Sequence, residues 1–550
     1  MHTPIHLSLL VTDDPRHRLG RDIRQMTIGR ALAEQAGRRG DKVFLHDLPG
    51  DRRYTYREVD EASNRLANGM RDAGIGAGTH VAVLSDNRPE ALFAYLALAK
   101  LGAVAVPVNT AARGDLLRYL LAHSDCTALV ADAECLEHAE AVHDDLPALA
   151  TLIHIDAPDR PVSQRWTQVR GLEQFDAHSA TPPAHDVRFS ELGAIFYTSG
   201  TTGPSKGVMF SQARMLLWGL SHIEAFGYTE DDIAYVCLPL FHVNALLGAT
   251  YMALSAGASV AMQRRFSASG FWPDVSKSGA TVSSMLGSMA NILWSQPASS
   301  EDSVNPLRLS QVTPIPEFAR AFEARFGMRF VSSYGLTDYG ASHAYTIGDP
   351  DSKLGSCGRT RRGYEARIVD ADEFELPAGE VGELVLRCNN PWEVSPGYYK
   401  MPQATIDSMR GGWFHTGDRG SIDAEGYFWF VDRLKDSIRR RGENISAYEI
   451  ELVVLKHPAI ADAAAFPVRS PLGEDDVAIA VSIRKDMTLT ERELVAYCEA
   501  RMARHMVPRY VQLLADLPRN ASQKVDKLAL RRHAEHDLSR IWDREREGAA

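Results

Sequence analysis

The stretch Tyr197-Thr-Ser-Gly-Thr-Thr-Gly-Pro-Ser-Lys-Gly207 decides how the rest of this chain is read. The apolar run Ala194 to Tyr197 predicts a buried strand that feeds it. Three glycines (Gly200, Gly203, Gly207) and five hydroxyls (Thr198, Ser199, Thr201, Thr202, Ser205) then precede or surround Lys206. Glycine lets backbone N–H groups approach phosphate oxygens closely, hydroxyls donate further hydrogen bonds, and the lysine adds positive charge. A Walker A loop needs Gly directly before its Lys, and here Ser205 stands there, so a P-loop NTPase is excluded by spacing.

Outward from this loop, short apolar runs alternate with helix-like stretches. His80–Leu84, Ala103–Val108, Ala128–Ala131 and Leu152–Ile155 read as buried strands, and Pro89–Leu101 carries helical periodicity. That alternation predicts an α/β fold with parallel sheets wrapped by helices. Near residue 435 the character shifts. Asp432 to Gly442, DRLKDSIRRRG, is a charged run without a core pattern, and Ser446 to Glu449 has the spacing of a capping box opening a helix from 447 to His457. Strands at Ala463–Val468 and Val477–Ile483 and a helix from Glu491 to Met502 complete a small α+β domain. The expected organisation is a large N-terminal domain of packed mixed sheets and helices, 1–434, and a mobile α+β C-terminal lid, 435–550, hinged at Lys435.

A chain of 550 residues exceeds one ordinary core. Its composition, 45% hydrophobic and 24% charged, is that of a soluble globular protein. A net charge of -11 argues against a nucleic-acid partner. The most apolar stretch, Leu246–Met262, is rich in Ala, Gly and Ser and falls short of a membrane span. The start, MHTPIHLSLLVTDDPRH, lacks the pattern of a signal peptide. Six scattered cysteines form neither a disulfide frame nor a zinc pattern. These features lead to the expectation of a cytoplasmic protein with free thiols.

Further motifs follow in order: Ser333-Tyr-Gly-Leu-Thr-Asp338, Trp413-Phe-His-Thr-Gly-Asp418, Leu238-Pro-Leu-Phe-His242 and Pro518-Arg-Asn-Ala-Ser-Gln-Lys524. With the loop, they resemble the adenylate-forming superfamily of acyl- and aryl-CoA synthetases, peptide-synthetase adenylation domains and luciferases, from about residue 25 to about residue 532. The resemblance implies that Thr198, Ser199, Gly200, Thr201, Thr202, Gly203 and Lys206 bind phosphate. It implies that Tyr334 stacks on adenine with Gly335 beside it in the cofactor site, that Thr337 bonds phosphate, and that Thr198 and Asp338 hold magnesium. Asp418 and Arg433 are then the ribose contacts; a carboxylate suits two vicinal hydroxyls. Lys435 and Arg439 fall at AMP-contacting positions, and Arg441 and Gly442 near the CoA nucleotide. His242 lies by the acyl pocket and thiol entry. Lys524 is the catalytic lysine, because an anionic carboxylate attacking an anionic phosphate needs a mobile cation.

Three positions depart from the family pattern. Asp338 stands where Glu is usual, Gln523 where Gly precedes the lysine, and Ser310–Pro314 lacks the usual Gly-Gly-Ala stretch. Phe271-Trp272 through Ala280-Thr281, and Arg440 to Ser446, resemble the bacterial group of crotonobetaine/carnitine–CoA ligases. The expected activity is an ATP- and Mg2+-dependent acid–CoA ligase acting on a small carboxylic acid, with coenzyme A as co-substrate. A homodimer is the family-level expectation. The alternatives are an acyl-AMP ligase loading a carrier protein, a luciferase-like enzyme, and a catalytically impaired nucleotide-binding relative. The acyl pocket is expected near Phe241–Asn244 and Leu286–Ile292.

Overall fold

The computed structural model describes residues 17–18, 20–157, 161–198, 205–433, 438–440, 443–445, 447–469, 475–502, 506–520 and 524–547. They divide into two compact units. The first comprises Met1–Gly200, Pro204–Glu365 and Leu386–Phe414; the second comprises Thr201–Gly203, Ala366–Val385 and His415–Ala550. The expected hinge residue Lys435 and the capping Ser446 lie outside the described residues.

The first unit is built on two large sheets. One has seven strands in the order Lys206–Ser211, Leu192–Thr198, Val104–Pro107, His80–Leu84, Ala128–Ala131, Thr151–His154 and Gln168–Gly171. Every neighbour pair is parallel except the first, which is antiparallel. The other has nine strands; its six central ones, from Arg329–Leu336 through Val43–Asp47, run parallel, and antiparallel strands cap both edges. Short strands with apolar runs, buried on both faces, are what parallel sheets covered by helices require.

One apolar core joins the inner faces of these sheets through the helices Pro89–Leu101 and Gln212–Phe226. Pro89 opens its helix in the first turn, and Gly102 closes it at φ 68°. Nearly every side chain of Pro89–Leu101 is buried, Lys100 included, as expected of a helix that is apolar all round. Separate apolar clusters cover the outer faces of the two sheets. The apolar stretch 246–262 is not one helix. It runs through a π-helical turn, Asn244–Thr250, a helix, Tyr251–Ala256, and a strand, Ser259–Met262. Among the described residues no helix is long and apolar enough to cross a membrane.

The second unit contains a four-stranded sheet, Ile460–Arg469, Asp475–Ile483, Tyr510–Leu514 and Trp542–Asp543, with helices Ala447–Leu455, Glu491–Glu499 and Lys527–His536. Two helices end earlier than the sequence suggested. Pro458 disfavours helical geometry at His457, so the first stops at Leu455. After Glu499 the amides of Arg501 and Met502 both turn back to the Cys498 carbonyl at 2.9 Å, tightening and ending the last turn.

Candidate active site

Thr198 and Lys206 face each other across the antiparallel pair Leu192–Thr198 and Lys206–Ser211. Ser199, Gly200, Thr201, Thr202 and Gly203 lie outside the described residues, but the stem that carries them is well anchored. The Tyr119 hydroxyl donates to the Ser205 carbonyl at 2.8 Å, and His123 Nδ1 shares a 2.7 Å hydrogen bond with the Tyr197 hydroxyl. Residues 397–399 add to the other side: Met209 N–H donates to Gly397 O at 3.1 Å, and Tyr399 N–H to Gly207 O at 2.7 Å. Asp125 then accepts from Tyr399 at 2.7 Å and from Lys400 at 2.5 Å. Burial pushes the Tyr399 hydroxyl up to about 12, so it stays a donor.

The motif Ser333–Asp338 ends the strand Arg329–Leu336 and turns into Gly340–Tyr345. Tyr334 is buried, its ring edge-on to His343 at 5.9 Å. Gly335 is required by close approach: a Cβ there would meet Ala341 Cα at 2.8 Å and Gly340 O at 2.9 Å. Asp338 is hydrogen-bonded to the Tyr398 hydroxyl. The Lys206 ammonium sits 4.6 Å from the centre of the same tyrosine ring. Lys206 and Asp338 therefore meet on one residue that sequence reasoning missed.

Arg214, one turn into the helix Gln212–Phe226, is fully buried and was also missed. It donates to Thr337 O at 2.8 Å, Met209 O at 3.1 Å and Glu393 O at 3.4 Å, and its guanidinium stacks on Phe210 at 3.6 Å. Burial pushes its pKa down to about 9, with Tyr364, Asp338 and Glu393 opposing. It ties the Lys206 strand to the Thr337–Asp338 turn. The region without the family glycines, 310–314, forms most of a regular strand, Leu309–Thr313. There Gln311 Nε2 donates to Ser333 Oγ at 2.7 Å, and Thr313 Oγ1 to Ser333 O at 3.3 Å.

His242 is half-buried, its ring 4.5 Å from that of Phe241, and lies two residues before the π-helical turn Asn244–Thr250. Single π-turns concentrate at functional sites.

In the second unit, Asp418 and Arg433 are register partners across Trp413–Ile422 and Phe428–Arg433. Asp418 is buried at 2% exposure. Its neighbours are fixed by Glu383, which bonds His415 Nδ1 at 2.8 Å and accepts from Gly417 N–H at 3.0 Å. Glu383 carries no motif signal in the sequence. Arg439 occupies the strand Ile438–Arg440, opposite Asn444; Lys435, Arg441 and Gly442 lie outside the described residues. Lys524 is exposed, next to the antiparallel bridge between Arg519 and Val525. Its N–H donates to Asn520 Oδ1 at 3.1 Å, and its carbonyl accepts from Asn520 N–H at 2.8 Å. Gln523 lies outside the described residues.

Among the described residues no three His, Cys, Asp or Glu side chains cluster as a metal cage. Magnesium needs none. It binds through one or two carboxylates plus phosphate oxygens and keeps several waters. A single hard carboxylate, Asp338, in the first unit with the Thr198 hydroxyl and the Lys206 cation, fits an Mg2+–phosphate ligand and would not fit zinc.

Residues 32–399 match the family described as AMP-binding enzyme, and residues 449–524 match the AMP-binding enzyme C-terminal domain. The chain belongs to this family of AMP-binding, adenylate-forming enzymes. Within it, the chain belongs to the acid–CoA ligase branch. It is 33% identical to the crotonobetaine/carnitine–CoA ligase of Citrobacter koseri over 521 residues, covering 93% of this chain and 99% of the relative. The fold is that of the anthranilate CoA ligase AuaEII solved with anthranoyl-AMP: TM-score 0.84 at 23% identity, covering 94% of this chain and 99% of that one. It is likewise similar to the o-succinylbenzoate coenzyme A synthetase MenE from Bacillus subtilis solved with ATP and magnesium, with TM-score 0.79, 25% identity, and 91% and 98% covered.

Proposed function

We propose that this enzyme activates a small carboxylic acid with ATP and transfers the acyl group to coenzyme A, with the residues above in the following roles. A carboxylate oxygen of the acid bonds to the α-phosphorus as the bond to the β-phosphate bridging oxygen breaks, and pyrophosphate leaves. The CoA sulfur then bonds to the acyl carbon as its bond to the AMP oxygen breaks. AMP leaves, and the thiol proton goes to solvent.

Lys206 and the loop Ser199–Gly203 hold the pyrophosphate end. Tyr334 and Gly335 hold adenine, Thr337 a phosphate, and Asp418 with Arg433 the ribose. Thr198 and Asp338 would hold the magnesium ion, which supplies charge neutralisation at the phosphates when bound. Lys524 neutralises the transferring group in the first half-reaction. Lys435 and Arg439 contact AMP. Arg441 and Gly442 belong to the second half-reaction, on a C-terminal part, 435–550, that serves both steps in turn. His242 contacts the reacting acyl group. The reading includes a cytoplasmic enzyme and a homodimer.

The observation that supports the nucleotide assignment is the convergence of Lys206 and Asp338 on Tyr398, since a cation and a carboxylate on one side chain suit phosphate and magnesium. Pyrophosphate release from purified protein with ATP and Mg2+, across a panel of acids with and without CoA, tests it. Acid-dependent release with AMP formed and CoA consumed is expected. Release without CoA consumption, but with loading of a phosphopantetheine carrier, would replace CoA as acceptor. No release with any acid would overturn the reading.

A further inference from the structure

The helix Gly114–His123 packs on the outer face of the seven-stranded sheet, behind the strands that carry Thr198 and Lys206. Side chains of a strand alternate between its two faces. Phe196, Val208 and Tyr398 are buried in the core between the two large sheets, and Thr198 and Lys206 share their face by register. On the opposite face Ile195, Tyr197 and Tyr399 pack with Tyr119 in the separate outer cluster. Gly207, the register partner of Tyr197, leaves room for that ring: a Cβ there would meet Tyr197 Cζ at 3.3 Å and Ile195 Cγ2 at 2.8 Å.

Tyr119 and His123 stand on one face of their helix at i and i+4, with their rings stacked at 5.1 Å. The Tyr119 hydroxyl donates to the carbonyl of Ser205, directly before Lys206, at 2.8 Å. His123 Nδ1 shares a 2.7 Å hydrogen bond with the hydroxyl of Tyr197, directly before Thr198. Just past the helix end, Asp125 accepts from the Tyr399 hydroxyl at 2.7 Å and from Lys400 Nζ at 2.5 Å, the two residues that follow Tyr398. Asp125 and Lys400 both hold left-handed backbone, at φ 53° and 54°, a region that favours glycine. Each of these contacts therefore grips a neighbour of Thr198, Lys206 or Tyr398.

We propose that Tyr119, His123 and Asp125 are positioning residues of the phosphate site. From the outer face of the sheet they hold Ser205, Tyr197 and Tyr399, and so aim Lys206, Thr198 and Tyr398 at one place on the inner face. They act through these neighbours and leave contact with ATP to the inner-face residues. The proposal rests on the assignment of Lys206 to the pyrophosphate end of ATP. A loosened Lys206 then weakens only a ligand that carries those phosphates, so comparing ATP with AMP separates positioning from bulk stability.

Binding of ATP and of AMP to the whole chain, each with Mg2+, is measured by calorimetry, with thermal midpoints alongside. Tyr119→Phe keeps the ring and removes the hydroxyl; His123→Phe keeps the stacking and removes Nδ1. Each is expected to raise Kd for ATP about tenfold and to leave Kd for AMP unchanged. His123→Asn, whose amide takes either hydrogen-bonding role, should recover part of the loss. Asp125→Gly suits the left-handed backbone, frees Tyr399 and Lys400, and should weaken ATP in the same direction. Tyr56→Phe is the control. It removes a buried hydroxyl bonded to Ala258 O at 2.6 Å elsewhere in the first unit, and should lower the midpoint without changing ATP binding. Wild-type ATP affinity in Tyr119→Phe and His123→Phe, or parallel losses for ATP and AMP, would overturn the positioning role. Lys206→Ala separates that failure from a wrong phosphate assignment. If it too binds ATP like wild type, the assignment of Lys206 falls and the positioning role falls with it.

Discussion

The ammonium of Lys206 lies 4.6 Å from the centre of the Tyr398 ring, and the Tyr398 hydroxyl is hydrogen-bonded to Asp338. One tyrosine thus supplies a ring face to a cation and a donor to a carboxylate. Burial, and then Asp338, raises the phenol's pKa, so it holds its proton and remains a donor. In Tyr398→Phe the ring face persists and the donor is lost. ATP–pyrophosphate exchange is expected to fall about tenfold, with more Mg2+ needed for half-maximal rate. An unchanged Mg2+ dependence would show that the Tyr398 hydroxyl does not set the Asp338 carboxylate.

Lys524 is exposed, and its N–H donates to Asn520 Oδ1. Lys524→Ala is expected to abolish adenylate formation, a loss of at least about a hundredfold, and to spare thioester formation from supplied acyl-AMP. Rapid-quench measurement of the two half-reactions separates them. Equal losses in both would contradict the division of labour.

Gly335 has backbone where a side chain would go: Ala341 Cα stands 2.8 Å from the place a Cβ would occupy. Gly335→Ala must spread the hairpin that carries Thr337 and Asp338. A loss of about 1–3 kcal/mol in stability is expected, together with a raised KM for ATP. A variant with wild-type melting and wild-type KM would mean that the hairpin yields without cost.

Arg214 binds three carbonyls from three segments in a fully buried setting. Arg214→Met keeps the bulk and leaves those carbonyls without their donor, so about 2–4 kcal/mol of stability should go, seen as a lower thermal midpoint. Arg214→Lys should recover part of it.

Two buried histidines make the fold acid-sensitive. Desolvation pushes His222 down to about 4 and His343 down to about 3 from an ordinary 6.5. Both are neutral when folded and free to protonate when unfolded. Their contribution is therefore complete above pH 6.5 and is lost as pH falls toward the folded-state values. Between pH 7 and pH 5 the loss is about 2 kcal/mol for each. Thermal unfolding at the two pH values measures it, and His222→Gln should show a shallower pH dependence than wild type. The same slope in both would remove His222 from the account.

Much of this molecule was legible in its sequence because the chemistry is carried by contiguous runs. The Gly- and hydroxyl-rich loop after an apolar strand and the ordered motifs around Tyr334, Asp418 and Lys524 define the family. The alternation of His80–Leu84, Pro89–Leu101 and Ala128–Ala131 likewise appears as strand, helix and strand within a residue of its expected bounds. Short-range physics sets these features: hydrophobic periodicity, caps and glycine geometry.

The tertiary structure decided what no local pattern encodes. Tyr398 is an ordinary aromatic in sequence and becomes the meeting point of Lys206 and Asp338 only because residues 397–399 pair with the strand Lys206–Ser211. Arg214 reads as a helix-surface charge until two sheets close over its helix and two distant carbonyls, of Thr337 and Glu393, join that of nearby Met209 on it. Sequence determines which groups are available and which local shapes they favour. Which of them share a few ångströms is fixed by the packing of segments hundreds of residues apart, because burial is collective and leaves no signature at any single position.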